Sequence, residues 1–85
     1  MFKILDFWAP WCGQCKAFAP TIDDVAKELS VTVDKIDAST NQEMCDKYSV
    51  MNLPTLIFIK DDTVVGTLTG LVAKEKLLDK IKELL

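Results

Sequence analysis

The chain has 85 residues, 49% hydrophobic and 27% charged, enough for one compact domain spanning residues 1–85 and too little for a second. Ten lysines against thirteen acidic residues leave a net charge of −3 with no basic cluster to follow a phosphate backbone, so nucleic acid is excluded as a partner. No run approaches the roughly 18 apolar residues that span a bilayer, and Asp6 arrives too early for a signal peptide, so a cytoplasmic monomer without membrane contact is expected.

Residues 2–8 are an apolar run with Phe2, Ile4, Asp6 and Trp8 on one face and Leu5 and Phe7 on the other, which predicts a strand covered on both sides. Phe18, Ile22, Val25, Ala26 and Leu29 then recur by threes and fours, predicting an amphipathic helix over residues 12–29 that Pro20 should kink. A second short strand follows, with Val31, Val33 and Lys35 on one face and Thr32, Asp34 and Ile36 on the other. Asn41 to Tyr48 reads as a short helix. Two β-rich runs, Thr55–Lys60 and Thr63–Thr69, are joined by Asp61-Asp62 in a tight hairpin. The last helix buries Leu77, Leu78, Ile81, Leu84 and Leu85 and turns its lysines and acids to water. The order β-α-β-α-β-β-α predicts an α/β fold, a mixed four-stranded sheet with helices on both faces. There are no repeats, linkers or low-complexity segments.

Three cysteines are an odd count, and without a secretory signal any disulfide should be transient. Cys12-Gly13-Gln14-Cys15 sits between a strand and a helix, where a Cys-x-x-Cys pair has a redox mechanism behind it. With Cys12 as N-cap, its sulfur faces the free N–H groups of Gln14 and Cys15 and the positive end of the helix dipole, which favour thiolate. Cys15, one turn in, is close enough to attack a mixed disulfide formed at Cys12. A zinc site is disfavoured, because histidine is absent and Cys45 is the only other thiol. A buried structural pair is the second alternative, against which Trp11 and Gly13 suggest an exposed, tight turn. Cys45 reads as a small buried hydrophobe, Tyr48 as packing, and Trp8 equally as packing or function.

Phe7-Trp8-Ala9-Pro10-Trp11-Cys12-Gly13-Gln14-Cys15-Lys16 and Leu53-Pro54-Thr55 closely resemble the active-site and cis-proline segments of thioredoxins. The likeness continues through Ala19-Pro20, Lys35-Ile36-Asp37 and Gly70. It covers nearly the whole chain and begins at the family's second strand; the usual first strand and helix are missing, which is expected to open one sheet edge.

The resemblance implies a thioredoxin fold and a protein-disulfide reductase. Cys12 would be the attacking cysteine and Cys15 the resolving one, with no bound cofactor. A separate thioredoxin reductase-like protein would supply electrons, and disulfide-containing proteins would be the targets. Thioredoxin is itself the reference case for the thiolate effect: its cysteine pKa falls from about 8.5 to about 7. That raises the thiolate fraction roughly fifteenfold, but with a Brønsted coefficient of about 0.45 the attack rate gains only about three- to fourfold. A good leaving group and a resolving thiol held within reach contribute the larger share.

Asp6 matches the family's buried aspartate, a proton acceptor for Cys15, and its place between Ile4 and Trp8 on one strand face agrees. Lys35 matches the lysine that partners this aspartate, although by itself it reads equally as a solvated strand end. Pro54 matches the cis proline, which from its neighbours alone could simply begin a strand. Trp11, Gly13, Gln14, Met51, Asn52, Leu53 and Gly70 would join it as a substrate-binding rim, with the Leu53 backbone pairing an extended target segment.

Gln14 departs from the proline usual between the cysteines and returns an N–H to the second helical position, where it can bond the Cys12 sulfur. Asp61-Asp62 departs from the usual Asn-Gly turn, so the hairpin is expected to be looser or differently shaped. A glutaredoxin-like enzyme fed by glutathione is a rival that Trp-Cys-Gly-x-Cys-Lys disfavours. A non-catalytic binding subunit with an incidental redox pair is another.

Overall fold

A computed structural model describes all 85 residues. The elements follow the expected order: β1 (Phe2–Trp8), α1 (Gly13–Leu29), β2 (Thr32–Asp37), α2 (Gln42–Lys47), β3 (Thr55–Lys60), β4 (Thr63–Thr69) and α3 (Lys74–Leu84). The four strands form one mixed sheet in the order β2-β1-β3-β4. β1 runs parallel to β2, because α1 carries the chain back across the sheet between them, and antiparallel to β3. Helix α1 passes through Pro20 as a single element and ends at Ser30, which takes the left-handed conformation.

Alternation along β1 sends its side chains into two cores. Ile4 joins Phe18, Ile22 and Val25 of α1, Leu56 and Phe58 of β3, and Leu77 and Ile81 of α3. Leu5 and Phe7 point the other way, toward Ile57, Ile59 and Cys45 of α2. Helices therefore lie on both faces, two on one and one on the other. Tyr48 packs edge-on against Phe7, with ring centroids 6.1 Å apart, and Cys45 is buried in the second core. Both are the packing residues their context suggested.

Two expectations need correction. Leu85 is about half exposed at 51%, because α3 meets the sheet through Leu77 and Ile81 and the chain has passed beyond the core by its last residue; Leu78 and Leu84 are half-buried. The β3–β4 turn is tight rather than loose. Asp61 and Asp62 both adopt positive φ, 50° and 66°, the requirement of a type I′ hairpin, whose twist matches that of the flanking strands. Aspartate is one of the few residues besides glycine that tolerates this region. Beyond the turn, Gly66 lies opposite Phe58, and a Cβ there would stand 3.0 Å from Leu84 Cδ1. The missing side chain lets α3 lie close over β4.

The burial pattern of α3 sets a graded test. Ile81→Ala removes a fully buried side chain and should cost about 2–5 kcal/mol. In a domain of this size, each kcal/mol lowers the melting temperature by about 4–8 °C. Leu85→Ala should change stability by less than about 0.5 kcal/mol in the same thermal melts.

Candidate active site

β1 delivers the chain to one end of the sheet at Trp8, and Ala9 to Trp11 turn it into α1. The turn is closed by a hydrogen bond of 3.1 Å from the Cys12 N–H to the Ala9 carbonyl. Ala9 is fully buried, so the turn is pinned against the end of the sheet. Cys12 is the N-cap of α1, with extended backbone dihedrals of φ −90° and ψ 103°. Its carbonyl accepts the first helical bond, from Lys16, at 3.2 Å.

Cys12 and Cys15 are paired as a disulfide with their Cα atoms 5.3 Å apart. The sulfur of Cys12 also accepts the Cys15 N–H at 3.2 Å. In the disulfide state this bond comes from Cys15 and not from Gln14. An N-cap side chain can accept from the second or third helical position, and here the third, Cys15, is the donor. Gln14 is exposed and its N–H is not spent on the sulfur.

The two sulfurs face different surroundings. Cys12 lines an open groove of about 370 Å³ with Trp11, Cys45, Val50, Met51 and Leu53. Trp11 and Met51 stand exposed, at 74% and 89%. Cys15 lines a second cavity of about 300 Å³ with Asp6, Trp8, Lys16, Ala19 and Lys35. Cys12 thus meets what docks from outside, and Cys15 meets a buried carboxyl.

The groove's far wall comes from the segment leading into β3. The Leu53–Pro54 peptide bond is cis and Pro54 is buried. The Pro54 carbonyl accepts the Gly70 N–H at 2.8 Å, and Gly70 has a φ of +93°. This bond ties the end of β4 to the start of β3, and a side chain at residue 70 would be strained. Asn52 is exposed on the groove, and its carbonyl accepts the hydroxyl of Thr55.

Of the rim residues read from the sequence, Trp11, Met51, Asn52 and Leu53 line the groove with Cys12. Gly13, Gln14, Pro54 and Gly70 lie outside that lining. Gly13 and Gln14 are exposed on the first turn of α1, while Pro54 and Gly70 support the wall from behind. Reading by segments passed over Ala38, Gln42, Cys45 and Val50. Gln42 and Cys45 are three apart on α2 and so share a face, a spacing visible in the sequence whose target was not.

Asp6 is 3% exposed, and burial pushes its carboxyl up from the ordinary 3.8 to about 6, partly offset by the positive charge of Lys35. Lys35 is the register neighbour of Asp6 on the adjacent parallel strand. The expected direct pairing is nevertheless corrected: the Lys35 ammonium lies 3.1 Å from Asp23 Oδ1 on α1, is 43% exposed, and makes no ion pair with Asp6. The long side chain reaches past the buried carboxyl to a solvated partner, which avoids dehydrating the ammonium. Trp8 packs against the disulfide, and its indole N–H is buried without a partner.

Residues 2–83 match the family model described as thioredoxin. A thioredoxin from Bacillus subtilis is 43% identical over 82 residues, covering 94% of this chain and 79% of that protein. One from Haemophilus influenzae is 40% identical over 82 residues, covering 94% and 77%. Among solved structures, a mutant thioredoxin from Halobacterium salinarum superposes with a TM-score of 0.92 at 33% identity, covering 96% of this chain and 73% of that one. A Fasciola hepatica thioredoxin gives 0.88 at 38% identity, covering 96% and 79%. With a cysteine pair capping a helix beside a buried carboxyl, and with these matches over almost its whole length, the chain belongs to the thioredoxin family and is a thiol–disulfide oxidoreductase of the protein-disulfide reductase kind.

Proposed function

We propose that the chain works as a single domain reducing disulfides of other proteins, with Cys12 as nucleophile and Cys15 as resolving thiol. The observation that carries these roles is the division of the two sulfurs between an outward groove and an inward cavity. In the reduced protein the Cys12 thiolate attacks one sulfur of the target disulfide. A mixed disulfide forms and the first target sulfur leaves as a thiolate. Cys15 then gives its proton to the Asp6 carboxylate and attacks Cys12. The second target sulfur leaves, and two electrons have passed from the cysteine pair to the target.

Each role has a physical basis. The helix N-terminus stabilises negative charge on Cys12, which favours its thiolate and makes it a good leaving group. Asp6, held near 6, is mostly ionised at pH 7 yet basic enough to accept a proton, the compromise a general base requires. The exposed Trp11 and Met51 offer apolar contact to an extended target segment, and the backbone at Leu53 offers it strand-like hydrogen bonds. Electrons come from a thioredoxin reductase-like donor, with no bound cofactor, and the protein works as a cytoplasmic monomer. The bacterial thioredoxin relatives support that setting, and no helix is long and apolar enough to cross a membrane.

Insulin reduction by dithiothreitol tests the assignment. The unaltered protein should accelerate it and Cys12→Ser should return the rate to the uncatalysed one, whereas Cys15→Ser should accumulate a mixed disulfide with a target peptide. No rate difference between the unaltered protein and Cys12→Ser would instead point to a binding subunit.

Gln14 keeps an N–H at the start of α1 that proline would lack, adding to the positive field at Cys12 in the reduced state. Gln14→Pro should therefore lower the reduction potential, by up to about 30 mV for about 1.4 kcal/mol. An unchanged or higher potential would remove Gln14 from the account.

The raised pKa of Asp6 also links stability to pH. The folded chain holds the proton up to about 6 and the unfolded chain releases it near 3.8, so stability falls as pH rises through that window and levels off above it. Asp6→Asn should remove this decline and stabilise the protein by about 1–3 kcal/mol at pH 7, read by urea unfolding, while slowing release of the mixed disulfide.

A further inference from the structure

Lys35 and Asp23 form an ion pair over the cavity that Asp6 and Cys15 share. Asp6 and Lys35 are directly opposite each other on parallel strands, so both side chains rise on the face covered by α1. On α1, Lys16, Ala19 and Asp23 follow at spacings of three and four and lie along one stripe. Lys16 and Ala19 line the cavity, and Asp23, one turn further, takes the Lys35 ammonium at 3.1 Å. The other cross-strand neighbour of Asp6 is Leu56 on β3, which is apolar. No charged group of α3 lines the cavity. The charges around Asp6 are therefore Lys35, Lys16 and Asp23.

We propose that Asp23 is a positioning residue for the resolving step: by holding the Lys35 ammonium at the cavity mouth it keeps that charge off Asp6, and so sets the pH at which Asp6 takes the proton from Cys15. Two effects act in the same direction. Lys35 stands beside Asp6 in register and lines the same cavity, and Asp23 takes its flexible side chain from a solvated position where the ammonium keeps part of its hydration. The Asp23 carboxylate also opposes a second negative charge at Asp6 directly. The sequence motif shared by the active-site and cis-proline segments does not include Asp23; only the packing of α1 over β2 brings it to Lys35.

The inference rests on the reading of Asp6 as proton acceptor, and two measurements on the reduced full chain separate the two claims. The first is the titration midpoint of the Asp6 carboxyl, followed by carbon-13 NMR. Asp23→Asn should lower the midpoint by about one pH unit, since the freed ammonium can pair with Asp6. Asp23→Glu should keep it near that of the unaltered protein, and Lys35→Met should raise it. In the Lys35→Met background the effect of Asp23→Asn should shrink to the part owed to its own charge. A midpoint that stays level or rises in Asp23→Asn overturns the proposal. So does an equal drop with and without Lys35, since Asp23 would then act without the lysine. The second measurement is the pH profile of product release from a preformed mixed disulfide at Cys12, whose acidic limb should move with the Asp6 midpoint. A profile that stays still while the midpoint moves overturns Asp6 as the acceptor, and with it the effect of Asp23 on the resolving step, leaving only its hold on Lys35.

Discussion

A carboxyl is buried in the middle of β1, a strand flanked by β2 and β3 and covered on both faces, and the rest of the site is arranged around that strain on its charge. Asp6 occupies an inward position that the pattern of Ile4 and Trp8 would give to an apolar side chain. An aspartate there costs stability once ionised, and a fold of this size has little to spare. It lines the same cavity as Cys15, and the proposed function draws on that cost. A carboxyl that resists ionisation is one whose anion readily takes back a proton.

The same strand fixes the second half of the chemistry. Because β1 pairs on both sides, its end cannot shift, and the buried Ala9 holds the turn that follows. Cys12 is thereby placed as N-cap of a 17-residue helix whose buried stripe, Cys15, Phe18, Ile22 and Val25, locks it over the sheet. The helix rotation decides that Cys15, three residues on, turns inward to Asp6 while Cys12 stays at the rim. One side chain lines the groove beside the exposed Trp11 and Met51 and the other lines the cavity that holds Asp6, so nucleophile and resolving thiol differ in surroundings although they are chemically identical.

The groove wall depends on tertiary ties rather than on a single element. The hydrogen bond between Pro54 and Gly70 joins two ends of the β3–β4 hairpin, and the tight turn at Asp61 and Asp62 sets the pairing of those strands. Helix α2 contributes Gln42 and Cys45 from the side. Cys45 belongs both to the second core and to the groove floor, so a change of volume there would be felt in packing and in docking together.

Much of this was legible in the chain itself. Alternation marked β1 and β2, spacings of three and four marked α1 and α3, and composition with turn residues marked α2, β3 and β4, because an element that buries a face repeats its apolar residues at its own period. The Cys-x-x-Cys spacing at a strand-to-helix junction marked the redox centre, because only the start of a helix offers free N–H groups to a sulfur. Asp6 was marked as buried by its neighbours on the strand. What tertiary structure alone decided concerns partners far apart in sequence. Lys35 alternates correctly to meet Asp6, but whether its ammonium settles there or on Asp23 depends on how α1 packs over β2 and on the cost of dehydrating it. The Cys12 sulfur had two N–H groups within its reach, and the disulfide geometry selected Cys15 over Gln14. The groove shared by Trp11, Cys45 and Met51 likewise came from segments that local pattern describes one at a time and only packing brings together.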